Sequence, residues 1–207
     1  MRPLFILFLF SSSVVFSQSI GDFVTLAPTF QDKDFRIPKS HDFQVIVQKG
    51  DSLSDGNVYF DKFDFTGYVP INGSSSNGYL SLNFENDPGT VAIMDITLNP
   101  SSNAWEVTNS QMIDFSSVNG TLRNCSGGVT PWNTIITCEE GTSEDLDHDG
   151  YKDFGWAIEI DPVSKKVVDA EGGLVGGDKL WALGNFAHEN AVFHSNRRTV
   201  YQGVDAD

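Results

Sequence analysis

The sequence predicts an all-β protein, and three features carry that expectation. Apolar runs of four to eight residues, rich in Val, Ile, Phe and Tyr, recur along the chain, each bounded by Gly, Asn, Asp, Ser or Pro. No stretch sustains the 3.6-residue apolar period of a long helix. The runs are evenly spaced, as in a sandwich, barrel or propeller. At 207 residues and 40% hydrophobic, the chain can bury one sizeable core.

Taken in order, residues 1–17 carry a basic start at Arg2, an apolar run from Leu4 to Phe10, and small residues at Val15 and Ser17. This reads as a signal peptide cut ahead of Gln18, its apolar part being shorter than the roughly 20 residues of a bilayer span. Export to a periplasmic or extracellular compartment follows, with no membrane attachment after cleavage, and one domain is expected over 18–207. Strands are predicted at 43–47, 78–83, 90–96, 104–109, 134–138, 155–160, 166–169, 191–193 and 199–203. The runs on either side of Pro162-Val163-Ser164-Lys165 read as a hairpin. Residues 171–178, EGGLVGGD, lack the Lys-Ser/Thr of a phosphate loop and read as a flexible connection. A propeller blade takes roughly 40 to 50 residues. The chain is therefore expected to be either a small closed structure or the front portion of a longer protein, truncated at its C-terminus.

Thirteen Lys and Arg against 28 Asp and Glu give a formal net charge of -15, which repels phosphate backbones and anionic lipid. Nucleic acid and membrane surfaces are excluded as partners on this ground. So many carboxylates suit hard cations such as calcium, although acidity also keeps an exported protein soluble. Export places Cys125 and Cys138 in an oxidising compartment, where a disulfide is the default expectation. The sequons at Asn72, Asn119 and Asn124 are too short a pattern to carry weight.

The string NCSGGVTPWNTIITCEE, residues 124–140, sets a glycine pair beside a thiol and ends a strand on two carboxylates. Glycines beside Cys125 allow the backbone to approach a ligand, and strand alternation sends Glu139 and Glu140 to opposite faces, so one of them faces a pocket. The other reading of the same residues is a Cys125–Cys138 disulfide pinning a hairpin with two surface glutamates.

This string resembles the signature of the PhoX-type alkaline phosphatases. Three further pieces agree with that family in order: Leu82-Asn83-Phe84-Glu85-Asn86, Gly155-Trp156-Ala157-Ile158-Glu159-Ile160-Asp161-Pro162, and Leu183-Gly184-Asn185-Phe186-Ala187-His188-Glu189-Asn190. The resemblance runs from about Phe43 onward. It implies a calcium- and iron-dependent phosphomonoesterase on a six-bladed β-propeller, of which this chain is a partial, N-terminal part. Carried over by position, Cys125 is the thiolate ligand to iron; Glu140, Glu189, Asn83, Glu85 and, more distantly, Asp205 are metal ligands; and His188 supports Glu189. Such a cluster holds phosphate oxygens and supplies a metal-bound oxygen nucleophile. Phe84 stands where the family has His, and Asn133 where Gly is usual, so the local geometry is expected to differ there. The chain also ends before the family's later carboxylates and arginine, so these 207 residues alone are expected to hydrolyse no phosphomonoester.

Asp145-Leu146-Asp147-His148-Asp149-Gly150-Tyr151-Lys152-Asp153 lies outside the shared pattern and has the oxygen spacing of a calcium loop. Trp156 stands where an EF-hand needs Glu, so a structural calcium loop between strands, held by Asp145, Asp147, Asp149 and Asp153, is expected instead. His41 and His194 have no ligand-spaced neighbours, and Phe60, Phe63, Phe65, Tyr151 and Trp156 read as sheet packing. Two functions fit the sequence. One is an exported metallophosphatase with a free Cys125. The other is a calcium-binding propeller with a structural or adhesion role, no catalysis and an intact disulfide.

Overall fold

The computed structural model describes residues 26–28, 34–38, 41–146, 148, 150–169 and 178–205. The expected signal peptide, the connection 171–177, Asp147 and Asp149 lie outside the described residues. The chain forms two units, Met1–Phe43 and Gln44–Asp207. The described residues of the first contain no strand, and Phe35 meets Phe43 edge-on with ring centroids 4.9 Å apart.

Among its described residues the second unit is all-β, with three antiparallel sheets, none of them closed. The first runs in the order β1 (Phe63–Pro70), β2 (Asn77–Phe84), β3 (Thr90–Asn99), β4 (Ala104–Met112). The second repeats that meander with β5 (Asn124–Val129), β6 (Ile135–Glu139), β7 (Ala157–Asp161) and β8 (Lys166–Val167). The third is the pair β9 (His188–Phe193) and β10 (Val200–Val204). The leading strands lie next to one another, β1 against β5 and β5 against β9.

Strand alternation builds this stack. In β6 and β7, Ile135, Ile158 and Ile160 face the first sheet, where they bury against Val69, Val91, Ile93, Ile113 and Phe115. The intervening Ile136, Cys138 and Ala157 face the third sheet, against Ala191 with Leu180, Leu183 and Phe193. The far face of the first sheet buries Leu82, Phe84, Ala92, Met94 and Ile96 under Leu53 and Tyr59. A sheet apolar on both faces has to be covered on both, which is why the middle sheet sits between the others.

Three expectations are corrected. Residues 43–47 form no strand: the Gln44 side-chain amide takes up both backbone groups of Trp105, donating from Nε2 to the carbonyl at 2.6 Å and accepting the N–H on Oε1 at 2.7 Å. One side chain thus satisfies the groups on β4 that a fifth strand would have used. Gly127 and Gly128 admit protein rather than ligand, because a Cβ would collide with the carbonyl oxygen of Ile136 at the first and of Ala191 at the second. The disulfide is absent. Both cysteines are free and buried, Cys138 among the apolar residues facing β9, and the β5–β6 ladder shifts register between Asn124 and Gly127, where Cys125 lies. Denatured, unreduced protein is expected to show two thiols per chain in a thiol titration; a count of zero would sink this arrangement.

Candidate metal centre

The leading hairpin of each sheet ends in the same construction. In β1–β2 the Lys62 carbonyl accepts the Glu85 N–H at 3.0 Å, and Asp64 follows Lys62 by two residues. In β5–β6 the Arg123 carbonyl accepts the Glu140 N–H at 3.0 Å, and Cys125 follows by two. In β9–β10 the Ala187 carbonyl accepts the Asp205 N–H at 3.1 Å, and Glu189 follows by two. Each ladder also shifts register at this end, between Phe63 and Thr66, Asn124 and Gly127, and Gly203 and Val204. Such irregularities re-aim side chains that a regular pleat would turn elsewhere.

The construction brings six donors together in two sets. Cys125 Sγ lies 3.5 Å from Asp64 Oδ2 and 3.5 Å from Glu189 Oε2. Burial, then the charges of Asp64 and Glu189, push its thiol far up, so it is a protonated donor to them here. Cys138 is pushed up to about 12, by burial first and then by Glu189 and Glu139. Glu140 shares hydrogen bonds with the carboxyls of Glu85 and Asp205; burial, then Glu85, then Asp205 raise it to about 7. Carboxylates this close hold a proton between them unless a cation neutralises them.

Beneath these donors lies a buried polar network. The Asn83 amide donates to the carbonyls of Cys125 (2.9 Å) and Ser126 (3.1 Å) and to Thr137 Oγ1 (3.0 Å), which also accepts from Asn124 Nδ2 at 2.9 Å. Three acceptors around Nδ2 fix the orientation of the amide and leave Asn83 Oδ1 buried without a partner. Asn124 is fully buried in this network, which excludes it as a glycan site.

The adjacent glutamates divide as strand alternation predicts. Glu139, fully buried, accepts the N–H groups of Leu122 (3.0 Å), Gly155 (3.1 Å) and Trp156 (3.0 Å) and pairs with Lys179 Nζ at 3.2 Å. Lys179, 2% exposed, also donates to the Asp153 carbonyl. Burial raises Glu139 to about 7 against the opposing pull of Lys179. Glu140 is the glutamate left for the donor cluster.

Of the residues expected as ligands, Cys125, Glu140, Glu189, Glu85 and Asp205 come together here, with Asn83 behind them. His188 does not join them: its Nε2 lies 2.9 Å from the Gly184 carbonyl, its ring stacks on Phe186 at 3.7 Å, and burial lowers its pKa. In the acidic loop, Asp145 Oδ2 accepts the Gly150 N–H (3.0 Å) and Asp153 Oδ2 the Leu146 N–H (2.7 Å). Among the described residues, no group of three or more His, Cys, Asp or Glu is drawn in closely enough to hold a metal ion as it stands.

Both departures from the family pattern leave this construction intact. Phe84 points away from its neighbours Asn83 and Glu85 into the far apolar layer, against Tyr59, Phe60 and Phe63. Asn133 takes a left-handed φ of 68°, the glycine-like conformation that Asn tolerates best. Sequence reasoning missed Asp64 and Lys179. The alternation Phe63-Asp64-Phe65 was the available signal for Asp64; Lys179 follows the Gly-rich connection and carries no local signal.

A family model described as alkaline phosphatase PhoX matches residues 94–207, which include Cys125, Glu140, Glu189 and Asp205. No curated protein matches. Among solved structures, Pseudomonas fluorescens PhoX in complex with vanadate, a transition state analogue, is similar at a TM-score of 0.45 and 16% identity, over 65% of this chain and 37% of that one. This chain thus spans 37% of the length of that structure.

Proposed function

The chain belongs to the PhoX alkaline phosphatase family, and from that premise we propose that it serves an exported, metal-dependent phosphatase acting on phosphomonoesters. The observation that carries this reading is the convergence of one thiol and five carboxylates from three successive hairpins. The donor chemistry fits the metals the resemblance implies. Oxygens of Glu85, Glu140, Asp205 and Glu189 suit calcium, Cys125 with neighbouring carboxylates suits iron, and the unpartnered Asn83 Oδ1 is a further oxygen. Asp64 joins this set on geometry. Bound there, such ions would supply positive charge to phosphate oxygens and to the transition state.

The residues themselves do the positioning. The carbonyls of Lys62, Arg123 and Ala187 fix the backbone of Glu85, Glu140 and Asp205, and the Asn83–Thr137–Asn124 network holds β2, β5 and β6 beneath Cys125. His188, anchored to Gly184, supports Glu189 through the start of β9 and not through its carboxylate. Asp145, Asp147, Asp149 and Asp153 form a separate structural calcium loop, a reading supported by the two backbone hydrogen bonds that tighten it. The stacking of β1, β5 and β9 as neighbours supports successive propeller blades. A free Cys125 favours the enzyme over a calcium-only scaffold.

The test is metal analysis of the exported protein at its natural full length, with Gln18 expected as the mature N-terminus. Iron and calcium are expected together with turnover of 4-nitrophenyl phosphate. Cys125→Ser should lose iron and keep calcium, and Asp145→Asn with Asp153→Asn should lower the calcium content while keeping iron and the remaining calcium. Calcium without iron and without turnover would overturn the reading.

A further inference from the structure

A cavity of about 150 Å³ is walled by Ser117 and Asn119 from the chain after β4, by Asp153 from the end of the acidic loop, and by Asp178 and Trp181 from the chain after β8. None of its lining residues is one of the six donors.

Asp178 decides what this cavity can hold. It is 2% exposed; its Oδ1 accepts the Lys179 N–H at 2.8 Å, while its Oδ2 is buried without a partner. Its own N–H is fixed on the Val168 carbonyl at 3.2 Å, which holds this backbone beside the second sheet. A carboxylate oxygen shut away from water with nothing donating to it is a costly arrangement that a cation relieves. Neither lysine in the wall does so. Lys179 Nζ is held by Glu139 at 3.2 Å and by the Asp153 carbonyl, and Lys152 Nζ turns to Glu144 at 3.5 Å. Asp153 brings a second carboxylate to the wall, its Oδ2 accepting the Leu146 N–H and its Oδ1 left over. The charge that remains is negative, and Ser117 and Asn119 add neutral oxygens.

We propose that this cavity is a calcium site, with Asp178 as its principal ligand, Asp153 as its second, and Ser117, Asn119 and water completing the shell. Size and donor type decide the ligand. A water takes roughly 30 Å³, so the space suits an ion with a few waters; pockets for organic ligands start at about 300 Å³. Calcium accepts six to eight oxygens of mixed charge in irregular geometry, whereas magnesium demands a near-ideal octahedron. Val118, between Ser117 and Asn119, is buried in the core shared by the first two sheets, so the ion would tie the exit of the first sheet to the second. The inference is independent of the phosphatase reading.

The test is equilibrium dialysis of the full-length protein against calcium, with the melting temperature followed on the same samples. Asp178→Asn keeps an acceptor for the Lys179 N–H and should bind one calcium fewer per chain than the parent. Ser117→Lys, which brings an amine in from the rim, should lose the same calcium with Asp178 intact. Both variants should forfeit roughly 5–10 °C of the calcium-dependent rise in melting temperature at a hundredfold excess over Kd. Iron content and turnover should stay as in the parent, which keeps this test apart from that of the phosphatase. Asp145→Asn combined with Asp178→Asn should lose one calcium more than Asp145→Asn alone; an equal loss would mean that Asp178 only serves the acidic loop, and overturns the separate site. A folded Asp178→Asn or Ser117→Lys protein that binds as much calcium as the parent overturns the inference outright.

Discussion

Glu140→Gln is expected to reduce phosphomonoester kcat/KM at least on the order of 100-fold, the upper range seen when residues merely supporting a metal ligand are lost. Glutamine keeps the shape, and the Glu140 N–H still meets the Arg123 carbonyl, so the hairpin end stays built. Only the charge that faces Glu85 and Asp205 disappears. The same change should move stability in the opposite direction. In metal-free protein Glu140 has its pKa raised to about 7 from 4.5, so the folded state holds a proton more tightly than the unfolded chain. A raised carboxylate contributes most below its unfolded pKa, and its ionisation weakens the fold as pH rises through 7. Removing it should therefore raise the melting temperature of chelator-treated protein above pH 7 and change little below pH 4. Activity within threefold of the parent would contradict the ligand role.

Lys179→Met has the largest expected effect on stability, a loss of about 3–5 kcal/mol, or roughly 10 °C in melting temperature for a chain of this size. Lys179 neutralises Glu139 where neither meets solvent, their exposures being 2% and 0%. Methionine fills the space and leaves a buried carboxylate that still has to hold the Leu122, Gly155 and Trp156 N–H groups. The deficit should grow with pH, since the unpaired carboxyl is tolerated only when protonated. Combining Lys179→Met with Glu139→Gln should recover part of the loss, because the amide oxygen still accepts hydrogen bonds without a charge. Chemical denaturation of the three variants checks this, and a single-variant loss below about 1 kcal/mol would mean the pair is not the fixed point described.

Sheet content was legible wherever alternation and β-branched residues coincide, as in β3 and β7. It failed in β1, and in β5, where Asn-Cys-Ser-Gly-Gly-Val carries two glycines and no apolar alternation. Those glycines serve the approach of β6 and β9, a demand that comes from neighbouring strands and leaves no local period. Residues 43–47 failed the other way, because alternation cannot tell that one glutamine will satisfy the adjacent edge. The donors Cys125, Glu140 and Glu189 were readable through family resemblance. Asp64 was not, since its relation to Cys125 exists only once two hairpins are stacked. Lys179 escaped for a related reason, its partner lying 40 residues away.

The repeated hairpin ends have a mechanical consequence. No single sheet owns the donor cluster, so the distances within it are set by the seams between sheets and not by any one ladder. A slip at either seam carries one complete donor pair away from the other two, as one jaw of a chuck leaves the workpiece. On the proposed metal-binding role, cation affinity becomes a strain gauge for the seams, and a truncation of Ile158 or Ala191 deep between sheets should register there before any donor is touched.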